Sequence, residues 1–411
     1  MFVRKPLFTT TAVTCLCALT ANTYASGFRV PEVTVTGTAT SNALIANTED
    51  VGALAFNPAS MSFHDAAAVQ FGVNHISYEA SVDPEGGTPT DSTGEDSFLV
   101  PSMTLLVPGT DMSFGLMINS PFGLETRWPN DTFPQFQLAA PNDDQLEPDI
   151  SRIKMFNVNP NVAFKIDESS SFAVGLDFYD VVNLAFNTQA TKINGEGTGI
   201  GWNIAYTKKF GKFNIGAAYR SSVKTDISGS ANDTAPATAS VEFPDLFQAG
   251  VYFQATEKFA VEFDIERIGW SSFDEINITT LNPTPPPPTV TISSTNDWDD
   301  TWVYRLGFYY QMTPATKLMF GYSYDETPQP DDHFSARVPD ADRQLFSVGV
   351  SHAFSNKWTI EAAYMLVDVD SRTIDSTTQY IPPGDANGTN AYNGTYNSDV
   401  NLIGVSLTVP L

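Results

Sequence analysis

The chain has 411 residues, and its 47 acidic residues against 21 basic residues give a formal net charge of -26. This balance excludes nucleic acid as a partner, because phosphate binding needs a basic surface. Both cysteines, Cys15 and Cys17, lie close to the N-terminus. A disulfide-stapled domain is therefore excluded as well.

The first 25 residues have the pattern of a secretory signal peptide. Arg4 and Lys5 precede an apolar run from Leu7 to Leu19, and small residues follow before Ser26. The run is too short for a membrane-spanning helix. We therefore expect residues 1–25 to be a leader, which leaves 19 basic and 47 acidic residues, or a net charge of -28.

The next segment, residues 26–65, differs from everything that follows it. It is rich in small residues, has no strong strand pattern, and ends in Phe56-Asn57-Pro58-Ala59. From about residue 66 to Leu411, by contrast, apolar residues recur at every second position, as in Phe172, Val174, Leu176 and Phe178. A period of two predicts strands with one apolar face. Fourteen such strands can be counted.

The connections between these strands alternate in length. Short ones, such as 108–110, 210–212 and 355–357, alternate with long polar segments: 83–96, 125–149, 187–197, 224–243, 271–297, 325–342 and 370–398. Short turns at one end, long loops at the other and an even number of strands are typical of outer-membrane barrels. The sequence therefore predicts an all-β, antiparallel up-and-down barrel over residues 66–411 that spans the outer membrane of a Gram-negative bacterium.

A soluble β-sandwich is the alternative, since its strands also alternate. A sandwich predicts a mixed aliphatic core, whereas the apolar face here is aromatic near strand ends. We expect these aromatic residues to form the two interfacial girdles of the barrel: Trp202, Tyr206, Trp270, Trp298, Trp302, Tyr322, Tyr324, Trp358 and Tyr364.

The opposite phase of the strands carries charges of both signs. We expect these side chains to point into the lumen, mainly as a structural network: Asp177, Arg220, Glu262, Asp264, Glu266, Arg305, Arg343 and Glu361. Fourteen strands enclose a lumen too wide for their own side chains to fill. Residues 26–65 lie at the tight end of the barrel and are otherwise unassigned, so we expect them to fill it as a plug.

The third strand is followed by Asn119, Ser120, Pro121, Phe122 and Gly123. Proline lacks the backbone donor of a ladder and glycine relaxes the chain, so the strand either kinks here or ends in its loop. A kink in a closed barrel opens the wall sideways.

Taken together, the chain resembles the FadL/TodX family of outer-membrane transporters for long-chain fatty acids and hydrophobic compounds. The resemblance covers the whole mature chain. Its strongest pieces are Ser26-Gly27-Phe28, Asn57-Pro58-Ala59, and Ser120 to Leu124 with Thr126 and Trp128. It implies passive uptake, with a ligand that enters from the loops, reaches a pocket near the plug and leaves sideways into the membrane.

The resemblance also implies roles for individual residues. Phe28 would lie at the pocket, Asn57, Pro58 and Ala59 would anchor the plug, and residues Asn119 to Gly123 would form a lateral gate. For a fatty acid, the carboxylate would meet Arg220, Arg305 or Arg343, among which the sequence does not choose. A neutral hydrocarbon would need none of them.

Two other functions stay open at this point, a general diffusion porin and a barrel lipid hydrolase or acyltransferase. None of the four histidines stands beside an evident nucleophile, and we expect no catalytic residue, cofactor or metal. The acidic loops could bind calcium, but solvated surface is the simpler interpretation. We expect a monomer that contacts outer-membrane lipid and lipopolysaccharide.

Overall fold

The computed structural model describes residues 27–138, 146–281 and 288–411, so the predicted leader lies outside the described residues. Fourteen antiparallel strands build the wall, several of them in two segments. The first seven are β1 (Ala68–Pro84), β2 (Ser97–Val107), β3 (Met112–Asn119 and Gly123–Arg127), β4 (Pro148–Asp167), β5 (Ser170–Thr188), β6 (Ile193–Phe210) and β7 (Phe213–Arg220 and Val223–Ala231). The others are β8 (Ala235–Phe243 and Leu246–Gln254), β9 (Phe259–Ile268 and Glu275–Leu281), β10 (Thr289–Thr295 and Thr301–Thr313), β11 (Thr316–Asp325), β12 (Arg343–Ala353), β13 (Thr359–Val369 and Arg372–Ile374) and β14 (Gly394–Pro410).

Each strand pairs with its neighbours in chain order, and β14 pairs with β1 from Ala68↔Pro410 to Pro84↔Gly394. This last pairing closes the sheet. A closed barrel satisfies its backbone hydrogen bonds within the wall, which is the condition for strands to lie in lipid. The predicted fourteen-stranded up-and-down barrel is therefore confirmed.

The side chains of the wall alternate as predicted along most strands. In β5, Phe172, Val174 and Leu176 are 37–46% exposed on the outer face, whereas Ala173 and Asp177 are fully buried. Five of the predicted girdle residues are likewise exposed on the outside: Trp202, Tyr206, Trp302, Trp358 and Tyr364.

The alternation reverses near the outer end of β5. The pairing of β5 with β6 shifts register between Val181 and Leu184. Leu184 is therefore buried, although the uninterrupted period of two predicts that it faces lipid with Val182. A bulge inserts one residue into the ladder and so moves the following side chains to the other face.

Three of the predicted polar loops are largely strand. The second segment of β7 (Val223–Ala231) and the first segment of β8 (Ala235–Phe243) form a hairpin within 224–243, and β5 and β6 extend into 187–197. The second segment of β9 (Glu275–Leu281) pairs with the first segment of β10 (Thr289–Thr295) within 271–297. Polar strands that rise beyond the membrane have no lipid-facing phase, so their composition resembles that of a loop.

The plug lies inside this wall. It contains helix α1 (Val35–Ala39) and two 3-10 turns, Val51–Ala55 and Pro58–Phe63. Each begins at a polar N-cap residue whose side chain accepts a hydrogen bond from a backbone N–H. These residues are Thr34, Asp50 and Asn57. The plug is confirmed as part of the fold, while its exact limits at 26 and 65 stay a prediction.

Short helices also occur outside the plug: α2 (Gln135–Leu138) and the 3-10 turns Trp270–Ser272, Asp331–His333 and Asn390–Tyr392. Within the described ranges, no helix combines the length and apolar character needed to cross a membrane.

Candidate functional site

Carboxylates of the wall hold the backbone of the plug. The Ala46 N–H donates to Glu262 Oε1 at 2.6 Å, and the Ile45 N–H donates to Asp264 Oδ2 at 3.1 Å. An irregular segment has backbone donors that no helix or sheet satisfies, and buried donors must find acceptors elsewhere. The inward carboxylates supply those acceptors, which confirms the structural role predicted for them.

A buried ion cluster fixes the N-terminal end of the plug. Arg29 contacts Glu266 at 2.8 Å, and Glu266 also pairs with Arg305 of β10. All three side chains are at most 7% exposed. Burial lowers the pKa of Arg29, and Glu266 acts in the opposite direction. Sequence reasoning missed Arg29, although it is the one Lys or Arg of segment 26–65.

Asn57 connects two parts of the plug with each other and with the wall. Its Nδ2 donates to the Ile45 carbonyl at 2.7 Å and to Thr207 Oγ1 of β6 at 3.0 Å. Its Oδ1 accepts from the Ala59 N–H at 3.1 Å, and Pro58 opens the turn without needing a donor. These contacts are those expected of an anchor at Asn57, Pro58 and Ala59.

Glycines of the wall let the plug approach the sheet closely. A Cβ at Gly216 would lie 2.0 Å from the Ile45 carbonyl oxygen, and one at Gly321 would lie 2.1 Å from the Thr40 carbonyl carbon. Real Cβ atoms do not approach so closely, so both positions accept no side chain while the plug is in place.

Phe28 lies in an aromatic cluster at the tip of the plug. Its ring centroid is 4.7 Å from that of Trp270, 5.2 Å from that of Phe273 and 6.0 Å from that of Phe122. Trp298 lies at 5.7 Å and Phe243 at 6.4 Å. The packing buries Phe28 at 3% exposure.

The girdle prediction is wrong for Trp270 and Trp298, which are 0% and 2% exposed inside the barrel. Trp270 opens the 3-10 turn Trp270–Ser272 between the two segments of β9, and Trp298 lies between the two segments of β10. Because alternation holds only along an unbroken strand, side chains at these interruptions can turn inward.

The third strand is interrupted as the sequence allowed. Its first segment pairs with β2 over Met103–Val107, and its second segment pairs with β4 and not with β2. Residues 97–102 of β2 therefore have no strand partner on this side within the described chain. We call the space between residues 97–102 and 119–123 the wall gap. On the loop side of the wall gap, the Thr93 N–H donates to the Arg127 carbonyl at 2.8 Å.

The tip of the plug is hydrogen-bonded to the interrupted strand. The Val30 N–H donates to the Pro121 carbonyl at 2.9 Å, and the Gly123 N–H donates to the Phe28 carbonyl at 3.0 Å. Arg29 and Phe122 thus form an antiparallel bridge. The structure brings together the two predicted sites, Phe28 and residues 119–123, so a movement of either affects the other.

Two cavities meet at Phe28. The larger, about 360 Å³, extends from Phe28 and Arg29 past Phe122 and through the wall gap to Leu99 and Phe156. The smaller, about 60 Å³, lies on the other side of Phe28 toward the loops. Both are lined by Phe28, Leu124, Ile153 and Val338. These side chains separate the two spaces.

The three predicted carboxylate partners all face inward but differ in position. Arg343 lines the larger cavity and is paired with Asp325 at 2.9 Å. Arg220 pairs with Asp177 and Arg305 with Glu266, and neither lines one of the two cavities. The inward orientation is confirmed, while a contact with ligand stays a prediction.

Asp340 and Glu32 add acidic groups to the larger cavity. Burial raises the pKa of Asp340 to about 6, and burial also raises the pKa of Glu32. Sequence reasoning missed both, because neither their inward orientation nor their burial in the plug and loop can be derived from strand alternation.

The histidines need one correction. His75 Nε2 lies 2.8 Å from Ser97 Oγ, and His352 Nδ1 lies 2.9 Å from Thr316 Oγ1, so two histidines do stand beside a hydroxyl. Cross-strand pairing of β1 with β2 and of β11 with β12 brings these pairs together, which the sequence separation concealed. Neither His75 Nδ1 nor His352 Nε2 has a hydrogen-bond partner among the described residues, so no third group orients either ring as hydrolysis would need. No group of three or more His, Cys, Asp or Glu in the described ranges could hold a metal ion.

The sequence profile of the family described as "Outer membrane protein transport protein (OMPP1/FadL/TodX)" matches residues 16–410. The chain belongs to this family. The FadL/TodX proteins are outer-membrane transport proteins, and the barrel with its internal plug is the fold of this family.

Several members of the FadL/TodX family resemble the chain over most of its length. The "Long-chain fatty acid transport protein" of Salmonella typhi is 22% identical, over 87% of this chain and 91% of the relative, and that of Escherichia coli (strain K12) gives the same values. Among solved structures, a Pseudomonas aeruginosa FadL homologue has a TM-score of 0.75 at 19% identity, covering 93% of this chain and 99% of the other. The Pseudomonas putida toluene transporter TodX has a TM-score of 0.65 at 15% identity, with coverage of 95% and 99%.

Proposed function

We propose that this chain is a passive outer-membrane channel that admits long-chain fatty acids or other hydrophobic molecules. The observation that carries the proposal is the larger cavity, which joins the plug tip at Phe28 to the outer face of the wall. Leu99, 70% exposed, and Phe156, 40% exposed, belong to both the cavity and that outer face. An apolar solute could therefore pass from the lumen into lipid without crossing water.

The similar proteins support a hydrophobic solute. Two of those named above are long-chain fatty acid transport proteins and one is a toluene transporter. Both solute types are apolar over most of their surface, and they differ in that a fatty acid carries a carboxylate.

The proposed path has three stages. The solute enters among the outer loops, reaches the smaller cavity, and passes Phe28 into the larger one. It then leaves through the wall gap beside residues Asn119 to Gly123. Because Phe28 and Val30 are hydrogen-bonded to this segment, displacement of the plug tip would widen both the passage and the gap. Nothing in this path requires an energy source, so transport runs down the gradient with a conformational trigger.

A general porin is disfavoured because the plug fills the lumen that a hydrophilic solute would use. Residues 34–48 of the plug are buried throughout, against wall residues such as Gly321 and Gly216. A catalytic function is disfavoured by the incomplete arrangement around His75. We further propose that the chain acts as a monomer in contact with lipopolysaccharide.

Uptake of radiolabelled oleate by a strain without its own transporter tests the proposal. Expression of the chain should restore uptake, and Pro121→Ala, which returns a backbone donor to the interrupted strand, should reduce it. Asn57→Ala should alter uptake by loosening the plug. Leakage of small hydrophilic solutes with unchanged oleate uptake would favour a porin. Release of lipid products that depends on Ser97 or His75 would favour an enzyme.

A further inference from the structure

Lysines are concentrated at the end of the barrel that carries the short turns. Seven of the ten lysines in residues 26–411 lie within three residues of a short connection between two wall strands. They are Lys165, Lys208, Lys209, Lys212, Lys258, Lys317 and Lys357. The same stretches contain five acidic residues and no arginine. This end of the wall is therefore positively charged, in a chain whose net charge is strongly negative.

Three of these lysines directly precede an aromatic residue on the outer face of the wall. The pairs are Lys212-Phe213, Lys258-Phe259 and Lys357-Trp358. All three rings are 36–44% exposed. Aromatic side chains on the outer face of a membrane protein favour the boundary between lipid and water. The lysine that precedes each ring therefore lies at the depth of the lipid headgroups.

Two of these pairs lie side by side. The Gln254 N–H donates to the Lys212 carbonyl at 2.8 Å, where β7 and β8 are paired. The Lys212 side chain reaches the next turn, because its Nζ donates to the Ala255 carbonyl at 3.1 Å. Lys258 lies three residues further along that turn. Both lysines thus place their charge at the turn between β8 and β9.

No carboxylate that the structure describes forms an ion pair with either of these two lysines. Lys208, on the neighbouring strand β6, differs because its Nζ lies 3.4 Å from Asp167 Oδ2. Glu257 is next to Lys258 in the sequence, but the two form no ion pair in the described chain. Two cations on one turn repel each other, and an anion shared between them would offset that repulsion.

An apolar surface continues from the lysines toward the middle of the wall. The ring of Phe213 stacks on those of Phe210 and Phe253, with centroids 5.8 Å and 4.6 Å apart. Beyond them, Ile215 of β7 is paired with Val251 of β8, and these side chains are 36% and 42% exposed. A ligand that fits this surface has an anionic head at the turn and apolar chains along the strands.

We propose that Lys212 and Lys258 bind the phosphate of an anionic phospholipid in the inner leaflet of the outer membrane, where the short turns lie. Basic side chains at a membrane surface attract anionic lipids, and lysine binds phosphate as a point charge. The exposed rings beside the lysines favour a lipid over a soluble phosphate or an acidic protein. The inference concerns the outer face of the wall and does not depend on the solute that the channel admits.

Native mass spectrometry of the purified full-length protein, released from detergent, tests this assignment. The two probes are phosphatidylglycerol and phosphatidylethanolamine with identical acyl chains. The wild-type protein should prefer phosphatidylglycerol by about tenfold, since each lysine near the surface contributes a factor of about three to five. The double variant Lys212→Gln/Lys258→Gln should reduce the preference to less than about twofold. Lys212→Arg/Lys258→Arg keeps both charges and should retain it.

Lys192→Gln/Lys224→Gln is the matched control, because it removes two exposed lysines from the loop end of the barrel. It should leave the preference unchanged. An equal loss in this control would assign the effect to net charge and overturn the inference. Equal binding of both lipids by the wild-type protein, or a preference that survives Lys212→Gln/Lys258→Gln, would overturn it as well. Displacement of phosphatidylglycerol by glycerol 3-phosphate would assign the site to a soluble phosphate instead.

Discussion

The Gly27 N–H donates to the Asp340 carboxylate at 2.9 Å, so the first described residue of the plug is held by the loop that leads into β12. Thr327 Oγ1 donates to the same carboxylate oxygen. Among the charged groups around Asp340, Arg343 lowers its pKa and Asp325 raises it. The plug tip therefore depends on a titratable acceptor.

This contact should weaken as the pH falls below about 6. Burial raises the pKa of Asp340 from 3.8 to about 6. The folded chain thus holds the proton more tightly than the unfolded chain, and the contribution of Asp340 to the free energy of unfolding falls as the pH rises from about 4 to about 6. The hydrogen bond itself has the opposite dependence, because an ionised carboxylate is the stronger acceptor.

Hydrogen exchange at residues 27–30, corrected for the intrinsic pH effect, should accordingly be faster at pH 5 than at pH 7.5. Asp340→Asn should remove most of this difference. Glu32→Gln serves as the control, because Glu32 lines the same cavity but does not bond to Gly27. A pH dependence that survives in Asp340→Asn would assign the effect to another group.

Gly27→Ala should displace the plug tip. Gly27 has φ +63°, and an added Cβ would lie 2.5 Å from Trp298 Cζ3. The left-handed conformation alone costs roughly 1–2 kcal/mol for a residue with a Cβ. Gly211→Ala isolates that backbone cost, because Gly211 has φ +61° and an added Cβ there meets nothing within 4 Å. We expect faster hydrogen exchange around Phe28 in Gly27→Ala only, and equal behaviour of the two variants would argue against a packing role.

Asn57→Ala should release the second half of the plug. It removes the cap of the turn Pro58–Phe63 and the bonds to Ile45 and Thr207. Loss of a cap alone costs about 0.5–2 kcal/mol. Asn57→Asp keeps the acceptor that caps the turn but loses the donor to the wall, so the pair separates the two contributions. Limited proteolysis of the plug measures the effect, and an unaltered digestion rate in both variants would exclude an anchoring role.

Glu266→Ala should destabilise the protein far more than Arg29→Met. Removal of Glu266 leaves Arg29 and Arg305 without their shared carboxylate, and breaking a buried pair costs about 3–5 kcal/mol. Removal of Arg29 leaves Glu266 bonded to Arg305 and to Gln248 at 2.7 Å. Urea unfolding midpoints in detergent would compare the two. Equal midpoints would indicate that Arg29 carries most of the stability of the cluster.

The wall could be predicted from the sequence because, in a closed barrel, the side chains of every strand alternate between the lipid and the lumen. That rule correctly gave the inward positions of Glu262 and Arg305. The interruption at Pro121 came from a different argument, the missing backbone donor of proline. The alternation rule failed for Trp270 and Trp298, where the strands break, and for Leu184, which follows a bulge. Each failure occurs where the ladder is irregular, since a period of two carries information only along a regular strand.

The site was less predictable than the fold. Phe28 and Asn57 came from a family resemblance, and their partners Trp298 and Thr207 are about 270 and 150 residues away in the chain. Arg337 lines the smaller cavity and donates to Ser151 Oγ and to the Asn187 carbonyl, which lie about 190 and 150 residues earlier in the chain. No local pattern distinguishes a buried arginine from one on a solvated loop.

The carboxylates that hold the plug also constrain how the barrel can be assembled. Glu262, Asp264, Glu266 and Glu361 all bond to residues of the plug. A wall closed around an empty lumen would enclose these four groups without those partners. The plug precedes every wall strand in the chain, and the closing pair joins β1 to β14. Insertion can therefore proceed strand by strand around a plug that is already present, with ring closure as the final step.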